Sequence, residues 1–237
     1  MGTTERYARH IALKEIGEEG QKKINHAQVL VIGAGGLGSP VLLYLAAAGV
    51  GTIGIMADDC VSESNLQRQI LYDTQCLGEP KAAAAARKLS ALNPGCTLHP
   101  MPFRLTRENA QATIAQYDIV VDATDNLETR YLINDACVAC GKPFVYGSIC
   151  EFTGQVSVFN YQGGATYRDL YPYHEGIHDF SQPLGVIGAL PGVVGSIQAA
   201  ETLKIILESP DTLSGRLLLI DLLKGTFRTL QIPTLER

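Results

Sequence analysis

Short apolar runs alternate with longer segments in which apolar residues recur at helical spacing, and this alternation governs the first two thirds of the chain. Residues 5–25 predict an amphipathic helix ending near Asn25-His26. Residues 28–33 predict a buried strand, and about 37–48 a helix. Pro40 is tolerated in the first turn of that helix, where an N–H has no helical acceptor, and Gly49 stops it. Residues 52–57 read as a second buried strand, so 28–57 has the length of a parallel βαβ unit. Residues 81–92, with five successive alanines, predict a helix closed by Asn93-Pro94. A strand at 97–102, a helix at 106–115, a strand at 118–123, a helix at 127–140 and a strand at 144–148 follow.

Strands alternating with helices imply an α/β fold with a Rossmann-like, doubly wound, mostly parallel sheet. After residue 150 the texture changes. Gly154 to Phe159 alternates like an antiparallel strand, and 163–185, rich in Tyr, Gly, His and Pro, reads as a long mobile crossing loop. A helix near 192–208 and strands near 216–223 and 226–232 complete an antiparallel addition. At 237 residues, 46% of them hydrophobic, the chain suits a single domain over 1–237, with a nucleotide-binding half at about 1–150 and a second half at about 151–237.

Nineteen basic against twenty-four acidic residues give a formal charge of −5, which argues against nucleic acid or an anionic membrane as partner. The N-terminal segment lacks the apolar stretch of a signal peptide, and no run approaches the roughly 18 apolar residues of a membrane span; the expectation is a cytoplasmic protein. Six cysteines, at 60, 76, 96, 137, 140 and 150, are scattered as reduced thiols would be. Cys137 and Cys140 have the CxxC spacing, but no second pair exists to complete a thiolate zinc site, and both are expected to be buried helix residues.

The glycines Gly33, Gly35 and Gly38, with Gly36 between them, sit between a strand and a helix, where phosphate can approach backbone N–H groups. The motif alone serves NAD as well as ATP. Asp58 and Asp59 follow the second strand, where a carboxylate can bind ribose hydroxyls. The chain then supplies Asn65, Arg68, Gln69 and Lys81, and cations aimed at phosphates stabilise the charge on a departing pyrophosphate. Asp125 follows the strand at 118–123, at the carboxyl end where open α/β sheets bind ligands. Beside a triphosphate it suits Mg²⁺, and its other reading is as the cap of the next helix. Asp122, inside the strand, is the more structural of the two.

Taken in order, Arg6-Tyr7-Ala8-Arg9-His10-Ile11, the glycine turn, Ser64-Asn65-Leu66-Gln67-Arg68-Gln69, Lys81, Thr124-Asp125-Asn126 and the 185–204 region resemble the ThiF/MoeB/HesA family over nearly the whole chain. The resemblance implies adenylation of the C-terminal Gly-Gly carboxylate of a ubiquitin-like β-grasp sulfur carrier with release of pyrophosphate, in thiamine or molybdopterin synthesis. The texture of 51–53 and 69–72 leans towards the thiamine type. It gives the glycines the phosphates, Asn65, Arg68 and Lys81 the triphosphate, and Asp125 the Mg²⁺. Arg9 would reach across a homodimer interface to the partner's ATP, and the carrier would dock on the 151–237 half.

Three departures qualify the carry-over. The family's ribose-binding acid aligns with Ala57, which moves that contact to Asp58 or Asp59, or weakens it. The first of the family's zinc-binding CxxC pairs aligns with Thr166-Tyr167-Arg168-Asp169 and the second is missing, so no zinc is expected. The family's covalent cysteine aligns with Ser181, which favours an enzyme that stops at the adenylate over one that uses Cys150. The rival readings are a NAD-dependent oxidoreductase, adenylation of a peptide or other carboxylate, and a carrier-binding scaffold with a decayed site.

Overall fold

A computed structural model describes residues 3–173 and 185–233. The N-terminal segment forms three helices, α1 (Thr3–Arg6), α2 (Ala8–Ile11) and α3 (Gly17–His26), in place of the single helix expected over 5–25. The break lies at 12–16, where Leu13 O accepts from both Ile16 N and Gly17 N and Gly17 turns to φ +58°. Helical periodicity continues through this stretch, but a left-handed glycine does not continue a helix.

The central elements are β1 (Gln28–Ile32), α4 (Gly38–Ala48), β2 (Thr52–Met56), α5 (Lys81–Leu92), β3 (Thr97–Met101), α6 (Ala110–Ile114), β4 (Ile119–Asp122), α7 (Leu127–Cys140) and β5 (Phe144–Cys150). Gly49 ends α4 with φ +86°, as its sequence position implies. Helix α6 is shorter than 106–115 because Asn109 Oδ1 accepts from Thr106 N (2.8 Å) and closes a separate turn ahead of it. There follow β6 (Thr153–Phe159), α8 (Tyr167–Leu170), α9 (Ala189–Ile206), β7 (Arg216–Asp221) and β8 (Thr226–Gln231). The short α8 lies within the stretch expected to be loop, built by a capping box in which Asp169 Oδ2 accepts from Thr166 N (2.7 Å) and Thr166 Oγ1 (2.9 Å). The rest of that expected crossing loop, 174–184, lies outside the described residues. Helix α9 begins three residues earlier than expected, with Pro191 in its first turn.

The eight strands form one sheet in the order β3-β2-β1-β4-β5-β6-β7-β8. Pairings from β3 through β5 are parallel and those from β5 through β8 antiparallel, the doubly wound sheet with an antiparallel addition that the sequence implies. One apolar layer, carrying α4, α5 and α9, covers one face; a second, with α6, α7 and α8, covers the other. The strand order reverses between β1 and β4, and open sheets of this kind bind ligands in the crevice beyond the carboxyl ends of the strands at that point.

The end of β4 is held by a buried polar knot. Asp122 is fully buried, and its Oδ1 accepts from Thr124 N (3.0 Å) and Thr124 Oγ1 (2.6 Å). Arg130 Nε stands 3.8 Å from Asp122 Oδ2, Arg130 Nη2 donates to Thr124 O (3.1 Å), and its guanidinium lies over the Tyr146 ring. From the other face Gln198 Nε2, on α9, donates to Asp122 O (2.7 Å). Removing one member of a buried pair strands the other charge in a low dielectric, which costs about 3–5 kcal/mol. Asp122→Ala is therefore expected to lower unfolding free energy by about 3 kcal/mol or more in a denaturant titration, and a loss under about 1 kcal/mol would show that the knot is not a structural anchor.

Candidate nucleotide site

Two glycines make the turn possible. Gly33 takes φ +100°, and a Cβ there would lie 2.4 Å from Ala123 O; a Cβ on Gly38 would lie 2.1 Å from Gly33 O. Only bare backbone lets the turn press on itself and on the end of β4. Gly33 N donates to Met56 O (2.8 Å), and Ser39 N and Oγ both donate to Gly35 O (2.9 and 2.8 Å), so the turn is fixed to β2 and to the first turn of α4. The positive end of α4 thus opens on the β1/β4 crevice, which suits an anion.

The segment from 62 to 69 closes over that turn. It begins as a short 3₁₀ turn, Glu63–Asn65, in which Asn65 Oδ1 accepts from Ser62 N (3.3 Å). Asn65 O then accepts from Arg68 N (3.1 Å) and Gln69 N (2.9 Å), while Arg68 Nη1 donates to Ser64 O (3.1 Å). These bonds aim Arg68 and Gln69 at the glycines: a Cβ on Gly36 would meet Arg68 Cγ at 3.7 Å and Pro191 Cβ at 3.3 Å, and one on Gly35 would meet Gln69 Nε2 at 3.4 Å. Gln69 is buried, and its Oε1 has no hydrogen-bond partner among the described residues. The head of α9 completes the enclosure, since Gly188 lies against Gln67 O and Pro191 against Gly36.

Lys81, at the head of α5, is the most buried cation of the group, with a side chain 7% exposed. Its Nζ donates to Asp59 Oδ2 (2.9 Å) and its backbone N to Asp59 O (2.8 Å). Tyr72 ties this helix to the glycine turn, its hydroxyl lying 2.8 Å from Ala34 O and 3.3 Å from Lys81 O. Burial raises the Tyr72 phenol above its ordinary pKa, so it keeps the single proton it gives to one carbonyl or the other. Asp58 turns the opposite way and accepts from Arg104 Nε (2.9 Å), while Ala57 is buried between them and the sheet.

Asp125 is exposed just past the β4 knot. The cap of α7 is its neighbour: Asn126 Oδ1 accepts from Thr129 N (2.9 Å), so the capping alternative for Asp125 gives way to Asn126. The structure therefore brings Gly33, Gly35, Gly36, Gly38, Arg68 and Gln69 together at the turn, holds Asn65 at the root of the 62–69 segment, links Lys81 and its partner Asp59 to the turn through Tyr72, and leaves Asp125 just past the end of β4. Arg9 stands apart. It lies on α2, beside Tyr7, whose hydroxyl packs against Gly49 at the far end of α4; eleven helical residues put that end about 16 Å from the turn. Pro191, Gln198 and Tyr72 were not among the expected site residues, since each acts by packing or by a bond to backbone that no motif announces.

The position of the family's first zinc-binding pair is occupied by other chemistry. Arg168 makes two 2.7 Å bonds to Asp135 on α7, holding that carboxyl below the usual carboxylate range, and stacks over Tyr131 (4.9 Å) and Tyr173 (5.8 Å). Thr166, Tyr167, Arg168 and Asp169 offer no thiolate or imidazole and do not fit zinc. Cys137 is buried, which pushes its thiol well up, whereas Cys140 is only partly buried and donates to Gln111 O. Cys150 is also partly exposed at the end of β5, not buried there as the strand position implies. Ser181 lies outside the described residues.

Relatives match this chain along almost its full length. The sulfur carrier protein adenylyltransferase of Thermus thermophilus is 49% identical over 235 residues, covering 96% of this chain and 87% of that protein. A probable molybdopterin-synthase adenylyltransferase of Porphyra purpurea is 45% identical over 233 residues, and the adenylyltransferase and sulfurtransferase MOCS3 of Anopheles gambiae 47% over 230. The matches span 60% and 52% of those two longer proteins. Among solved structures, Escherichia coli MccB with MccA-N7isoASN superposes with a TM-score of 0.86 at 19% identity, covering 99% of this chain and 73% of that one, a likeness of fold. The ThiF family model matches residues 7–236. Spanning all but the first few residues, and joined to relatives nearly half identical in sequence, that match establishes that the chain belongs to the ThiF family.

Proposed function

We propose that this protein is an ATP-dependent adenylyltransferase that activates the C-terminal Gly-Gly carboxylate of a ubiquitin-like sulfur carrier, in thiamine or molybdopterin synthesis. The observation that supports the reading is Arg68 packed against the glycine turn at the β1/β4 crevice, with the helix headed by the buried Lys81 tied to the same turn through Tyr72. A nicotinamide cofactor needs little more cation than the helix terminus provides. A triphosphate that must release pyrophosphate needs both side chains.

The carrier carboxylate, ionised at neutral pH, attacks the α-phosphorus of ATP. A carboxylate–phosphorus bond forms, the bond to the bridging oxygen breaks, and pyrophosphate leaves with the electron pair. No protein base is required. The residues of this chain act by positioning and by stabilising charge: the glycine turn and the α4 terminus bind the phosphates, and Arg68, Lys81 and Asn65 hold the departing pair. Gln69 offers its unpartnered carbonyl oxygen inside the crevice. Lys81 is held ready by Asp59, so its ammonium is oriented before nucleotide arrives.

Mg²⁺ fits this site as a partner of Asp125. Among the described residues no group of three or more metal-ligating side chains is close enough to hold an ion alone. An ion bound through one carboxylate and the substrate's phosphates needs no such group, and it would supply charge neutralisation there. Arg9, too far from its own crevice, is assigned to the site of a second copy in a homodimer, and the carrier to the antiparallel 151–237 half. With Ser181 in place of a cysteine, the reaction ends at the adenylate and a separate donor supplies sulfur. No helix among the described residues is long and apolar enough to cross a membrane, and a cytoplasmic location is part of the proposal.

Carrier-dependent pyrophosphate exchange tests the assignment, and absence of exchange with every sulfur carrier offered would refute it. Arg68→Ala and Asp125→Ala should each lower the exchange rate by about 10²-fold or more with the melting temperature unchanged. The dimer assignment is tested by mixing two inactive variants, Arg9→Ala and Asp125→Ala. Subunit exchange then makes heterodimers with one intact site and should restore about a quarter of wild-type activity, whereas no recovery would place Arg9 outside the partner's site.

A further inference from the structure

We infer that Ala57 leaves the sugar edge of the nucleotide site without a carboxylate, so that the protein uses 2′-deoxy- and 3′-deoxy-ATP about as well as ATP; the inference rests on the adenylyltransferase reading above. In open α/β sheets that bind nucleotides on a glycine turn, a carboxylate at the end of the adjoining strand hydrogen-bonds the ribose hydroxyls. Here the adjoining strand is β2. Met56 O, its last carbonyl, accepts from Gly33 N (2.8 Å), which makes residue 57 the first beyond the sheet and the one beside the turn. Its backbone is fixed on the other side as well, with Ala57 N donating to Met101 O (3.1 Å). The side chain is a methyl group, 9% exposed and part of the larger apolar layer. It offers a hydroxyl no acceptor.

The two carboxylates that follow already have cation partners. Asp58 accepts from Arg104, in the segment after β3, and β3 lies on the side of β2 away from β1 and its glycine turn. Asp59 is bound twice by Lys81, through Nζ and through the backbone, and so faces the head of α5. Asp58 is thus paired on the β3 side, Asp59 is engaged by Lys81, and residue 57, the first beyond β2 beside the turn, is apolar. A hydroxyl bonded to a charged acceptor contributes enough that its loss costs about ten- to a hundredfold in affinity. Without that acceptor, removing the hydroxyl removes little.

The test uses the full chain with ATP, 2′-deoxy-ATP and 3′-deoxy-ATP in carrier-dependent pyrophosphate exchange, together with calorimetric binding of each nucleotide. The expected result is kcat/KM and Kd within about threefold across the three. A preference for ATP of about tenfold or more over either deoxy form would overturn the inference, because some group would then be reading the sugar. Failure of ATP itself to bind or exchange is a different result and would remove the adenylyltransferase reading together with this one. Ala57→Asp supplies the converse arm, and Ala57→Ser is carried beside it in case a buried carboxylate unfolds the chain. Folded variants, verified by melting temperature, should gain preference for ATP over its deoxy forms; a folded variant with an unaltered ratio would show that position 57 does not face the sugar.

Discussion

The approach of bare backbone to bare backbone at Gly33 and Gly38 is the constraint on which the rest depends. With side chains at these two positions the turn after β1 would stand away from Ala123, and neither the α4 terminus nor the end of β4 would face the same space. The crevice at the β1/β4 reversal therefore begins as a steric fact about two residues. Everything else around the crevice is fastened to that contact: Tyr72 to Ala34, Gln69 to Gly35, Arg68 and Pro191 to Gly36.

The fastening uses groups that are expensive to leave unpaired. The Asp122–Arg130 knot and Gln198 sit in the low-dielectric interior, where the bonds of Asp122 Oδ1 and Arg130 to Thr124 and of Gln198 to Asp122 O fix the end of β4. Lys81 is likewise buried, and its ammonium is held by one exposed carboxylate, Asp59. Asp125, by contrast, is exposed at the end of this rigid support.

The mostly parallel sheet with its antiparallel addition and the glycine turn were legible because their signals are local. Apolar runs, the helix stop at Gly49 and the alanine helix after Lys81 report on themselves, and the ordered set of Arg68, Lys81 and Asp125 was specific enough to suggest the family. Less legible were the features set by contact across the fold. The break at Gly17 depends on a left-handed backbone, the short α6 on a side-chain bond from Asn109, and α8 on a reciprocal cap between Thr166 and Asp169. Tyr72 carries no motif; its role exists only once the 62–69 segment has folded over the turn. Asp58 and Asp59 looked equivalent in sequence, and their cation partners, 46 and 22 residues away, separate them.

The parallel pairing of β1 with β4 has a consequence in time. Val29 is matched to Ile119 and Ile32 to Asp122, so the backbone that backs the glycine turn is made some ninety residues after the turn itself. During synthesis the N-terminal βαβ unit emerges with its phosphate loop unsupported on one side, and it stays so until β4 leaves the ribosome. The head of α9, which lies against Gly36 and Gln67, arrives later still. The support of the turn is thus completed only when β4 and the head of α9 have both been made.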